Sequence, residues 1–305
     1  MKKILTYLVI SASAFIFFSC DKPAPTQLFD DTNNELEVEL LNKDLDDEYY
    51  SSGADTSGIT QDLTGVTNLI SVSGIKFTKN NETYSFNLAQ AIFFDKSKPP
   101  IRYSNQKLLA YRTRTPGTVK FDGLEARVVP FRIKFRDQGE QRDTLLGGKY
   151  ILYNMFNIGL PDQFIFHYNS NVTFEFLPDF GQGNNVSFVI PTPQEINGNV
   201  ILEGRRINRN LQAILRWNAK YERKISIVIG LIRQGQTLSV PVYRFRTEDD
   251  GEVLIPGRLL NELPLENFEN IVVTFIRSYE GYRGNGNNEL FVSSQSIHSI
   301  VIEIP

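Results

Sequence analysis

Residues 224–232, KISIVIGLI, decide the fold class. Ile225, Ile227, Ile229 and Leu231 fall on one side of an extended chain, and Val228 and Ile232 on the other. Period two is the repeat of a strand, and β-branched side chains pack well on a pleated surface. The same alternation recurs on both sides of this stretch. Phe131, Ile133 and Phe135 alternate with Arg132, Lys134 and Arg136. Tyr84, Phe86 and Leu88 share a face, as do Phe164, Phe166 and Tyr168 against Ile165 and His167, and Val172, Phe174 and Phe176 against Thr173 and Glu175. Turn signals separate these runs: Lys79-Asn80-Asn81, Pro99-Pro100, Pro116-Gly117, Asp122-Gly123, Gly147-Gly148 and Gly181 to Asn185. No amphipathic helical pattern of useful length interrupts them. The expectation is an all-β chain of antiparallel strands.

Pro191-Thr192-Pro193 follows a strand at 186–190 and reads as a stiff connector. It divides the chain into two antiparallel β-sandwich (Ig-like) domains, 61–190 and 194–305. In the second, strands are expected at 200–204, 211–217, 224–232, 240–246, 252–255, 270–278, 289–293 and 297–304. Asp249-Asp250-Gly251 reads as a turn. Pro256 opens a short helical turn through Leu259 and Leu260, and Pro264 closes it.

Trp217-Asn218, then Thr247-Glu248-Asp249-Asp250-Gly251, Ile255-Pro256, Leu259-Leu260, Leu263-Pro264 and a strand ending in Arg277 follow one another in a recognisable order. In that order they resemble a bacterial Ig-like or fibronectin-III-like module. The resemblance implies a sandwich and no particular activity.

The first residues, MKKILTYLVISASAFIFFSC, have the layout of a secretory signal. Lys2 and Lys3 precede an apolar run from Ile4 to Phe18, shorter than the roughly 20 residues of a spanning helix. Phe17-Phe18-Ser19-Cys20 resembles the lipobox of Bacteroidota-type bacterial lipoproteins, with Ser19 as its small residue. The resemblance implies removal of residues 1–19 and lipidation of Cys20. Cys20 is the single cysteine of the 305-residue chain, so disulfides hold neither domain. Residues 20–60 read as a disordered acidic tether, with a charge of −9 over 21–60 and few large apolar side chains. A short helix at 35–45 is the one element expected there. An acidic run after the lipidated cysteine resembles the export signal of surface-exposed lipoproteins.

Residues 61–305 carry a formal charge of +4, too mild a basic bias for a nucleic-acid binder. The two histidines, His167 and His298, stand in strand patterns and are not spaced as metal ligands. No G-x-S-x-G elbow accompanies them. Asp249 and Asp250 sit in a turn whose side-chain bonds they are expected to serve, outside any calcium-loop pattern. Arg132, Lys134 and Arg136 form a basic stripe expected to be a solvated face. No metal or cofactor is therefore expected. The candidate binding loop is 281–288, Gly- and Asn-rich, with Tyr279, Tyr282, Arg283, Asn285 and Asn287 as its contact residues. Tyrosine rings stack on sugars, arginine pairs with anions, and Asn amides donate and accept.

The expectation for function is a non-enzymatic binding or scaffolding lipoprotein of the outer membrane, on its periplasmic or surface-exposed face. It is held to the membrane by lipid on Cys20, with a glycan or an envelope protein as partner. The alternatives are a carboxylate-based glycoside hydrolase, which needs two acids in one cleft, and a purely structural sandwich module.

Overall fold

The computed structural model of the chain describes residues 27–31, 34–40, 49–50, 68–106, 108–138, 140–155, 163–179, 184–221, 224–235, 239–263, 265–283 and 290–305. The signal segment, Cys20, Asn285 and Asn287 lie outside the described residues. Nearly all regular structure is strand. In chain order come β1 (Gln27–Asp31), β2 (Asn34–Leu40), β3 (Tyr49–Tyr50), β4 (Asn68–Lys79), β5 (Glu82–Asp95), β6 (Ile101–Arg102) and β7 (Leu108–Ala110). They are followed by β8 (Arg112–Arg114), β9 (Gly117–Phe121), β10 (Leu124–Glu125), β11 (Arg127–Asp137), β12 (Glu140–Met155), β13 (Asn171–Pro178) and β14 (Val186–Pro191). The last are β15 (Gly198–Glu203), β16 (Gln212–Trp217), β17 (Ile225–Arg233), β18 (Ser239–Thr247), β19 (Glu252–Ile255), β20 (Phe268–Arg283) and β21 (Leu290–Glu303). Among the described residues, one short α-helix, α1 (Gly257–Asn261), buries Leu259 and Leu260 where the proline signals placed it, and 3-10 turns lie at Arg206–Asn208 and Leu265–Asn267.

Twelve strands form one sheet in the order β1-β2-β18-β17-β20-β21-β4-β5-β12-β11-β3, with β8 beside β5. Its pairings are antiparallel except β21 with β4, which run parallel from Leu290↔Asn68 to Val301↔Lys79. That parallel pair joins strands from the two halves of the chain. β3 is one edge of this order and β2 lies one strand in from the other, yet Leu40 and Tyr49 are joined by a chain that reaches at most about 32 Å. Nine flat interstrand spacings would need about 43 Å, so the sheet is strongly curved.

One face of this sheet carries two cores. Over the first half, Ile70, Val72, Ala91, Phe93 and Tyr150 pack against Phe121, Val172 and Phe174 of the small sheet β10-β9-β13-β14. Over the second half, Ile225, Ile227, Ile229 and Phe275 pack against Leu215, Trp217 and Ile255 of the small sheet β15-β16-β19. Each core is thus two facing sheets, the layering that alternating strands produce when one side must be dry. Between the cores, Gly74 lets Phe166 and Tyr168 lie on the sheet, since a Cβ there would meet both at 2.6 Å.

Local chemistry sets the turns. Asn80 and Asn81 both have positive φ and close β4 onto β5 in a two-residue hairpin. Asp122 and Gly123 do the same for β9 and β10. Both are type I′ geometry, which Asn, Asp and Gly tolerate.

Several expectations are corrected. Gly147-Gly148 is no turn but lies within β12 at a bulge opposite Phe131 and Arg132, with Gly147 at φ 144 and pressed against Thr113. Phe164 and Phe166 are buried as the alternation required, but their segment joins no ladder. The two strands expected at 289–293 and 297–304 are one, because Ser294-Gln295-Ser296 continues the ladder fully buried. In the stretch read as a tether, Asn34–Leu40 is a strand and not a helix. It pairs with β18, and Leu36 and Val38 enter the second core. Their neighbours Glu37 and Glu39 reach Lys224 and Arg244 at 3.0 and 3.1 Å.

Candidate functional site

The hairpin of β20 and β21 carries the candidate binding residues. Its ladder runs past the expected loop start, through Gly281↔Val292 and Tyr282↔Phe291 to Arg283↔Leu290. Gly281, Tyr282 and Arg283 are therefore strand residues on a rigid edge. Alternation places Tyr279, Gly281 and Arg283 on one face and Tyr282 on the other. Tyr279 and Tyr282 cannot close on the same ring.

Tyr282 is 52% exposed and stands edge-on to buried Phe291, with centroids 5.3 Å apart and planes at 66°. On the opposite face, a Cβ built on Gly281 meets nothing within 4 Å among the described residues. An open notch thus lies between half-buried Tyr279 and exposed Arg283, whose Cα atoms are about 13 Å apart along the strand.

Arg277, two residues before Tyr279, fixes the base of this hairpin. Its Nε and Nη2 donate to the two oxygens of Asp249 at 2.9 and 2.8 Å. Nη1 donates to the carbonyls of Gln194 and Glu195, and Nη2 also to that of Asn218. Asp249 Oδ1 further accepts the Trp217 indole N–H at 2.9 Å. The five guanidinium N–H groups all have acceptors, and both charged side chains are out of solvent, at 3% and 0% exposed. The Asp249 carboxylate therefore bonds Arg277 and Trp217 rather than the backbone of its own turn. It ties the connector after Pro193 and the 217–218 corner to β20. The sequence named Asp249 and Arg277 separately; nothing in a single chain of letters pairs residues on different strands.

The histidines have different settings. His167 is exposed, and its carbonyl accepts from Thr192 Oγ1. His298 is buried beside the connector. Its Nδ1 accepts the Gly198 N–H at 2.9 Å, and Nε2 lies 2.9 Å from Thr78 Oγ1. Burial, with a lesser contribution from the Lys76 ammonium and against the attraction of Glu195, brings its pKa down to about 4. It is neutral at pH 7, with the proton on Nε2 as the main-chain bond to Nδ1 requires. Lys76 itself is held by Glu195 at 2.8 Å.

Comparison of the chain with protein-family models, curated proteins and solved structures gave no match. Among the described residues, no group of three or more His, Cys, Asp and Glu is placed to hold a metal ion. No helix among them is long and apolar enough to cross a membrane. In the basic stripe, Arg132 is exposed and sits 3.4 Å from Asp143 across the β11–β12 hairpin.

Proposed function

We propose that this chain is an exported, lipid-anchored envelope protein that binds or scaffolds, with the Tyr279–Gly281–Arg283 notch as its contact surface. The open space over Gly281 carries the proposal. A strand glycine costs stability relative to a β-branched residue. Gly281 is half-buried with open space above it, and so leaves room where a side chain would be tolerated. Tyr279 offers a ring for stacking, and Arg283 offers a charged hydrogen-bonding fork. Asn285 and Asn287 follow within a few residues in sequence. The ligand class that fits best is a sugar ring of an envelope glycan.

The anchor is lipid on Cys20, and the location is the outer membrane, on its periplasmic or surface-exposed face. The lipobox-like residues Phe17 to Cys20 support both. β1 begins about seven residues after Cys20, a reach of about 25 Å, so the sheet would stand close to the bilayer. We read the second half as an Ig- or fibronectin-III-like module; its support is Trp217 packed tilted on Phe275 between two facing sheets.

The test is glycan-array screening and pull-down from solubilised envelope, using the mature protein beside Tyr279→Ala. A glycan or partner retained by the parent and lost by the variant is expected. No retention by the parent, or identical profiles, would count against the proposal.

A further inference from the structure

The face of the long sheet opposite the two cores carries a polar row between apolar borders. Register aligns Glu280, Ser293, Ser71, Gln90 and Ile151 across β20, β21, β4, β5 and β12. The adjacent row aligns Ser278, Gln295 and Ser73. Lys149 lies two residues before Ile151 on the same face. On one side stand Phe291, Leu69 and Ile92, and on the other Ile276, Ile297 and Ile75.

Solvent does not reach the middle of this row: Ser71, Ser73, Gln90, Ser293 and Gln295 are at most 1% exposed. Its hydrogen bonding is lopsided. Lys149 Nζ donates to Gln90 Oε1 at 3.5 Å, and Ser73 Oγ donates to Gln295 Oε1 at 3.4 Å. Both amide oxygens are used from within. Among the described residues, Gln90 Nε2, Gln295 Nε2, Ser71 Oγ and Ser293 Oγ have no partner. Buried polar groups in folded proteins nearly always have one, supplied by protein, water or ligand. Next to Lys149, the row offers the Gln90 amide N–H and the Ser71 hydroxyl, both able to donate.

Beside it is a buried amine that no carboxylate among the described residues pairs with. Lys149 is 9% exposed and lies 5.0 Å from the Phe131 ring. Burial alone lowers the pKa of its ammonium, with no carboxylate contributing. The carboxylate of the row, Glu280, is about 14 Å from Gln90, three interstrand spacings away. An anion is therefore favoured at the Lys149 end and repelled from the other. Across the row, exposure rises from buried Gln90 to half-buried Ile151, so β12 is the more open side.

We propose that Lys149, Gln90 and Ser71 form a binding site for a carboxylate group. The ammonium supplies the charge, and the Gln90 amide N–H and the Ser71 hydroxyl complete the donor set. This site is on the opposite face from the Gly281 notch and does not depend on it.

The probe is acetate, compared with chloride at matched ionic strength and pH 7.5, read by the Tm of the mature protein and by 13C-acetate relaxation. Acetate is expected to raise Tm saturably and to relax faster with the parent, while chloride does neither. Lys149→Met is expected to abolish both responses, and Gln90→Leu to weaken them; either suffices if the other fails to fold. Equal effects of acetate and chloride, or an undiminished acetate response in a folded Lys149→Met variant, would overturn the assignment.

Discussion

Replacing Arg277 by alanine removes the donor set at the base of the β20–β21 hairpin. Asp249 is then a carboxylate at 0% exposure with only the Trp217 N–H left to it among the bonds described. The carbonyls of Gln194, Glu195 and Asn218 lose their guanidinium donor as well. Breaking a buried pair from one side costs about 3–5 kcal/mol, because the remaining charge stays out of water. At roughly 2–4 °C per kcal/mol for a chain of this size, Tm falls by something on the order of 6–20 °C. Urea unfolding followed by tryptophan fluorescence is the natural assay, since Trp217 is the single tryptophan and bonds directly to Asp249. The double variant Arg277→Met with Asp249→Leu removes both charges together. It is expected to lose far less than the two single changes summed. A loss under about 1 kcal/mol for Arg277→Ala, or an additive double variant, would refute the account of this pair.

His298 predicts a pH dependence. Its pKa falls from 6.5 unfolded to about 4 folded, so the unfolded state binds more protons between these values. The stability due to the neutral ring is complete above pH 6.5 and is lost as pH falls toward 4, by about 3 kcal/mol in all. Denaturation midpoints of the parent and of His298→Gln across that window should converge at the acid end. Leu36→Ala is expected to cost about 2–4 kcal/mol, because β2 contributes to the second core; chemical denaturation would show no change if residues 34–40 were only a spacer. Intact-mass analysis of the membrane fraction should give a chain beginning at acylated Cys20, and an unmodified Cys20 would remove the anchor.

The strands were legible wherever side chains alternate between a dry and a wet face. Ile225 to Leu231 and Phe131 to Phe135 are the clearest cases. The turns were legible at Asn80-Asn81 and Asp122-Gly123, where positive φ at both positions needs those residue types. Gly147-Gly148 misled because a bulge glycine and a turn glycine look alike in sequence. Ser294-Gln295-Ser296 read as a break because polarity normally marks solvent, and here all three are buried, Gln295 on one face and the serines on the other. At Asn34–Leu40, the alternation of Leu36 and Val38 with Glu35, Glu37 and Glu39 was present but submerged in an acidic average. Of the candidate site, the residue types at 279–283 were visible. Which of them share a face was not, because that depends on how far the ladder runs beyond Ser278. The Arg277–Asp249 pair and the Lys149 row depend on strand order, which a single sequence does not encode locally.

The binding of envelope glycan by the parent and by Gly281→Val tests the central proposal most directly. The valine side chain has open space and a backbone that does not require glycine, so the fold should be unchanged or slightly more stable. The notch between Tyr279 and Arg283 would be filled. Loss of glycan or partner binding with an unaltered Tm is the predicted result. Undiminished binding by the folded Gly281→Val variant would contradict it.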